Sequence, residues 1–171
     1  RETCWVADTG RNRIRRIYWS GSAWVYDEIT GFSSPYSVSV NPNEVVNGRE
    51  TCWVADTGGD RVRKIYWDAN AKPRPAYKYL SLSMGKKSSP SSVSVNTTDS
   101  SCWVANAGTN NICKLSGVGM NPITIVFTVG GFSAPYSVSV NNVLLVNGRE
   151  TVWVADTGGN RIRRIYWSGS S

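Results

Sequence analysis

Asp8, Asp56 and Asp156 each stand five residues before an arginine: Arg13, Arg61 and Arg161. A carboxylate and a planar guanidinium at a fixed spacing are suited to a directional ion pair. In a fourth copy of the surrounding sequence both positions are neutral, as Asn106 and Asn111. Loss of both members together indicates that the two side chains meet. The six charged residues are therefore read as structural ion pairs and not as a ring of metal ligands. Further arginines crowd the same segments. Of these, Arg11, Arg15, Arg63 and Arg163 are candidate binding residues, together with Tyr36 and Tyr136. Near turns they would form a basic crown, and the tyrosines would line the mouth of a central channel. The plainer reading is that the arginine stems pack between strands and pair with acids.

Other chemistry is excluded by residue type. Histidine is absent, which removes the commonest metal ligand and the commonest neutral-pH base. Serine is abundant, but no histidine activates it. Asp27 and Glu28 are adjacent, so in a strand they point to opposite faces. No catalytic residue, metal site or cofactor is expected, and the chain reads as a non-enzyme. The first three of the four cysteines, Cys4, Cys52 and Cys102, directly precede a tryptophan where the fourth copy has Val152. A site that accepts Cys or Val is most simply small, buried and apolar. Cys102 and Cys113 are a candidate disulfide across a hairpin. No Cys-x-x-Cys pair suggests zinc or haem.

The net charge of +7 favours acidic partners or simply solubility. No run of about 18 apolar residues would span a membrane, and no signal peptide opens the chain. Arg1 begins inside a repeat, so the chain reads as a mature product or a fragment. The compartment stays open, with an extracellular or cell-surface location preferred. A sequon at Asn96-Thr97-Thr98 would be exposed and glycosylatable in a secreted protein.

The elements that must position these residues repeat. Trp-Val-Ala-Asp-Thr-Gly runs from Trp5, Trp53 and Trp153, and a worn Trp-Val-Ala-Asn-Ala-Gly runs from Trp103. A second marker, Pro-Tyr-Ser-Val-Ser-Val, starts at Pro35 and Pro135, with Ser91 replacing the tyrosine after Pro90. Asp-Thr-Gly and the Asn or Asp after it carry turn chemistry, and the flanking Val, Ile, Tyr and Trp favour strands. Repeats of about 40–50 residues with several short strands point to propeller blades or solenoid turns. The reading is fourteen strands and no helix. Labelled outward from the inner strand as a to d, the chain runs bcd, abcd, abcd, abc. The tryptophans of the four copies are expected in the core.

The pattern Trp-Val-Ala-Asp-Thr-Gly-x-Asn-Arg-Ile resembles the NHL-repeat family of β-propellers. It fits closely at 5–14 and 153–162. It departs at Asp60, and again at Asn106 and Asn111. The resemblance implies an all-β propeller of four-stranded antiparallel blades, about three and a half of them in this chain. That would be half a ring, or a fragment of a six- to eight-bladed one. The chain is expected to be a single partial domain, with blade units at roughly 1–30, 31–82, 83–129 and 130–171. Arg1–Trp19 and Arg149–Trp167 differ only at Cys4/Val152 and Arg11/Gly159. The sequence thus restarts after three blades, which implies a homo-oligomer or a longer repeat chain. Some rings of this family are lyases that need metal-binding histidines, and that activity is not carried over. The expected role is a binding or scaffolding surface for a protein or glycan. Nucleic-acid binding through a basic face and an enzyme at the channel mouth are the alternatives.

Overall fold

The computed structural model describes residues 2–73 and 76–168. Among the described residues fourteen strands form four sheets, each a run of antiparallel neighbours. The first sheet is β1 (Thr3–Asp8), β2 (Arg13–Trp19) and β3 (Trp24–Ile29). The second is β4 (Pro35–Val46), β5 (Arg49–Asp56), β6 (Arg61–Asp68) and β7 (Ala76–Ser83). The third is β8 (Pro90–Val95), β9 (Cys102–Asn106), β10 (Asn111–Ser116) and β11 (Thr124–Val129). The fourth is β12 (Pro135–Val146), β13 (Arg149–Asp156) and β14 (Arg161–Ile165). Sheets stack face to face in chain order, with β4, β8 and β12 as inner strands. This is a partial β-propeller. Its only helical pieces among the described residues are four single 3-10 turns, one after the Asp or Asn of each repeat.

The alternating serines of the inner strands have a specific use. An inner strand has one edge with no neighbouring strand, so its N–H groups need other acceptors. Val93 and Val95 donate their N–H groups to Ser37 Oγ and Ser39 Oγ, at 3.2 and 3.0 Å. Val138 and Val140 do the same to Ser92 and Ser94, at 3.2 and 3.0 Å. Each blade's serines therefore tie down the next blade's inner strand, while the valines between them face the packed blade interior.

Two inner strands run longer than the period-2 pattern suggests. β4 passes a bulge after Asn41 and turns back into β5 at Asn47-Gly48, and β12 does so at Asn147-Gly148. Both residues of each turn have positive φ, the conformation that Asn-Gly favours in two-residue hairpins.

The core lies between blades, in three clusters built around Trp5, Trp53 and Trp103. Trp153, expected beside them, is instead 46% exposed because no described blade lies beyond it. Among the described residues no helix is long and apolar enough to cross a membrane.

Candidate functional site

One end of the propeller gathers the 3-10 turns and the loops that lead into each inner strand. Each such loop is held from two sides. Asp56 is fully buried, and its Oδ1 accepts from the Ser33 amide at 2.6 Å. Its Oδ2 accepts from Arg61 Nε at 2.9 Å. From the preceding blade, Asn12 Oδ1 accepts from the Ser34 amide at 2.7 Å. Asn12 sits at φ 54°, a left-handed position that Asn tolerates well. In the fourth blade Asp156 repeats the pattern, with Ser133 N at 2.6 Å and Arg161 Nε at 2.7 Å. Asn110 takes the Ala134 amide at 2.7 Å from the other side. The Ser133 amide, followed by Arg161, holds the Asp156 carboxyl below its ordinary range. In the first blade Asp8 accepts from Arg13 Nε at 2.7 Å, which lowers its pKa.

The third blade shows how the latch tolerates the worn repeat. Asn106 donates to Asn111 Oδ1 at 2.9 Å, and its own Oδ1 is buried without a partner. The carboxylate that holds this loop comes from the preceding blade instead. Asp60, where the other blades have Asn, accepts from the Ser89 and Lys87 amides at 2.9 and 2.8 Å. Those amides, Ser89 first, lower the Asp60 pKa. The exchange of Asp60 for Asn and of Asn106 for Asp was visible in the sequence; in the fold Asp60 takes the loop amides, while the Asn106 side chain bonds Asn111 and Cys113 instead.

The repeat glycine is selected by close approach. A Cβ at Gly58 would lie 2.9 Å from Ser33 O, and one at Gly108 would lie 1.9 Å from Lys87 O. At Gly10 nothing among the described residues lies within 4 Å. The positive φ of the turn belongs to Asn12, Asp60, Asn110 and Asn160 instead.

Tyr36 and Tyr136 stand at the inner rim of this end. They come from blades two and four, yet their rings meet edge to face at 5.7 Å with their hydroxyls hydrogen-bonded. Ser91 of the intervening blade leaves the room, and its buried hydroxyl donates to Pro135 O. Both tyrosines are about half exposed. The hydrogen bond to Tyr36 raises the Tyr136 pKa.

The arginines divide. Arg11 is exposed over 71% of its side chain, with its Nη1 3.9 Å from Asp8 Oδ2. Arg15 lies over Tyr26 at 4.4 Å and beside Glu28 at 3.6 Å. Arg163 donates to Gly131 O at 2.7 Å and covers Phe132. Arg63, expected on the binding face, is buried. Its guanidinium is packed between Phe32 and Tyr79, 2.9 Å from Asp56 Oδ2. It offers no free charge to a ligand, because strand alternation aims it between blades.

Two further expectations are corrected. The strand register sets Cys102 opposite Leu115 and Cys113 opposite Val104, so Cys102 and Cys113 do not face each other and both are free. Burial pushes the Cys52 and Cys102 thiols upward, and Cys4 alone is exposed. Asn96 of the sequon is buried, and its side-chain oxygen accepts from the Thr98 amide. A glycan there would require that turn to open.

Away from the loop end, a polar lock joins blades one and two. Trp5 Nε1 and Arg16 Nε both donate to Glu50 Oε1, at 3.1 and 2.9 Å. Blades three and four repeat it with Trp103, Lys114 and Glu150. Burial opposes ionisation of Glu50, but the hydrogen bonds from Arg16 and Trp5 outweigh it and hold its pKa at about 2. Between blades two and three the matching residue is Ser100. There Trp53 Nε1 has no partner, and Lys64 pairs with Glu44 of its own blade. These locks were not legible beforehand, since Glu50 and Glu150 lie outside the marker motifs. Among the described residues no group of three or more His, Cys, Asp or Glu is placed to hold a metal ion.

No protein-family model matches the sequence, and no curated protein matches it. Solved structures do. A virginiamycin B lyase from Staphylococcus aureus aligns at TM-score 0.62 and 22% identity over 97% of this chain and 49% of its own. A streptogramin B lyase aligns at 0.64 and 20% identity, over 98% and 49%. A protein from Lactobacillus plantarum aligns at 0.68 and 14% identity, over 96% and 50%. The chain spans about half the length of these structures. At such identities the likeness establishes the fold.

Proposed function

We propose that this chain is a non-catalytic binding module, a β-propeller of the NHL-repeat type that presents its loop end to a protein or glycan. The observation that carries the reading is the half-exposed Tyr36–Tyr136 pair on loops that are latched from two blades at once. Tyrosine supplies a large contact area with few rotatable bonds, and arginine and tyrosine dominate the energetics of many interfaces. Arg11 adds a largely exposed cation at the same end. The NHL assignment rests on the Trp-Val-Ala-Asp-Thr-Gly copies together with the Asp and Asn latches they supply. The ring closes through a second copy or within a longer repeat chain, as the restart of the sequence at Arg149 implies.

Binding of RNA is the alternative supported by the +7 charge and the largely exposed Arg11. It is weakened by the engagement of Arg13, Arg15 and Arg63 in ion pairs and ring contacts. An enzyme using the Tyr36–Tyr136 rim is the further alternative, since two fold neighbours are lyases, but among the described residues no nucleophile and base come together there. The test is retention on oligosaccharide and displayed-peptide arrays by the wild-type chain and by a Tyr36→Ser/Tyr136→Ser variant. Wild type is expected to bind a glycan or peptide class, and the variant to bind it at least about tenfold more weakly. If the two chains behave alike, the reading is wrong. Retention of RNA alone, falling steeply with salt, selects the alternative.

A further inference from the structure

Tyr36 and Tyr136 hold the same repeat position, directly after the proline that opens the inner strands β4 and β12. The intervening inner strand β8 has Ser91 there. A second exchange accompanies it. The threonine of the first two 3-10 turns bonds the proline carbonyl of the next blade. Thr9 Oγ1 donates to Pro35 O and Thr57 Oγ1 to Pro90 O, each at 2.7 Å. The third turn has Ala107, which has no hydroxyl to give. Ser91 Oγ takes over that duty, at 3.2 Å from Pro135 O. One small residue thus fastens the start of β12 and clears the space in which the rings of blades two and four meet.

The contact is arranged for a reaction between the two rings. Their centroids are 5.7 Å apart, and Tyr136 donates its hydroxyl hydrogen to the Tyr36 hydroxyl. Two phenols joined through the ring carbons beside their oxygens also carry their hydroxyls side by side. Hydroxyl contact therefore already sets the orientation that such a bond needs. The carbonyls just before both tyrosines are tied down, so only the side chains have to turn. Both rings are about half exposed and open to a small oxidant. Among the described residues no other two tyrosine rings are in contact. Tyr77 packs on Trp5 and Trp67, and Tyr79 packs on Phe32. The four cysteines are free, so no disulfide joins one blade to another.

We propose that Tyr36 and Tyr136 are a modification site, at which oxidation joins them into a dityrosine cross-link between blades two and four. The co-reactant is hydrogen peroxide, used by a haem peroxidase. Each phenol gives up one electron and its hydroxyl proton, and the peroxide takes up both electrons and both protons to become two waters. The two phenoxyl radicals pair at the ring carbons beside oxygen, forming one carbon–carbon bond. Those carbons then release their hydrogens as protons, which return to the two oxygens and restore both rings. The chain ends lighter by two hydrogens. Rings already held in contact favour this pairing over coupling between chains. The new bond closes the chain between positions 36 and 136, which restricts the unfolded ensemble. The cross-link needs only the ring contact, so it does not rest on the binding role.

The test treats the full chain, in dilute solution, with a haem peroxidase and hydrogen peroxide. A thiol is added afterwards to undo any disulfide formed through the exposed Cys4. The expected product is a monomer with dityrosine fluorescence, lighter by two hydrogens, in which fragment sequencing joins the tryptic peptides that carry Tyr36 and Tyr136. Tyr36→Phe and Tyr136→Phe should each lower the yield at least about tenfold, because the remaining tyrosine has no phenol in contact. Tyr26→Phe removes a tyrosine that is just as exposed and should leave the yield unchanged. Absence of dityrosine, a link at other tyrosines, or linked dimers in place of the linked monomer would overturn the proposal. So would an undiminished yield in either the Tyr36→Phe or the Tyr136→Phe chain.

Discussion

A single repeat carries several unrelated physical duties in adjacent residues. Tryptophan fills the space between blades, Asp accepts from a loop amide and an arginine, and the following Asn reaches the next blade's loop. Glycine lies between them because a loop carbonyl passes too close for a side chain. This yields an uneven mutational response from equivalent positions. Gly58→Ala and Gly108→Ala are expected to destabilise by about 1–3 kcal/mol, since the backbone of Ser33 or Lys87 must move. Gly10→Ala, with open space around it, should change stability by no more than about 0.5 kcal/mol. Chemical denaturation of the three variants checks this, and equal costs at all three would show that the glycine is needed for turn formation alone. The Asp–Arg spacing was readable because one repeat had lost both members together. That Asp60 holds the third blade's loop was not, because Asp60 belongs to the preceding blade and meets that loop only in the fold.

At the level of strands, the order bcd, abcd, abcd, abc follows directly from the repeat spacing and the period-2 valines. The extension of β4 and β12 to Val46 and Val146 was signalled by Asn47-Gly48 and Asn147-Gly148, a hairpin pair that lies between the two markers. Burial of Arg63 and exposure of Trp153 were hidden for a different reason. Both depend on whether a blade lies opposite, and an internal repeat makes all copies look alike. Blade-to-blade contacts also set the acid response. Glu50 is held from an ordinary 4.5 to about 2, and Glu150 is lowered by the Lys114 side of its own lock despite its burial. A carboxylate with a depressed folded pKa gives stability that is present above its unfolded value and lost as pH falls through the folded one. The melting temperature should therefore fall as pH drops from about 4.5 towards 2. A Glu50→Gln chain should show a shallower slope across that window. An unchanged slope would mean that Glu50 is not held by Arg16 and Trp5.

Taken whole, the molecule is an arc of stacked blades with one tied-down loop end and two unlike outer blades. The loops that surround Tyr36 and Tyr136 are fixed before any partner arrives, which lowers the ordering cost of binding. That preorganisation is the premise of the functional reading. It rests on three amides, those of Ser33, Ser89 and Ser133, which donate to Asp56, Asp60 and Asp156. Amide hydrogen exchange of the free chain measures it without knowledge of the ligand. The account predicts that these three amides exchange with protection close to that of the neighbouring strands β5, β6 and β13. Exchange as fast as that of the exposed Gly21 turn would contradict it, because the loop end would then be unfastened and the tyrosines would have no fixed frame.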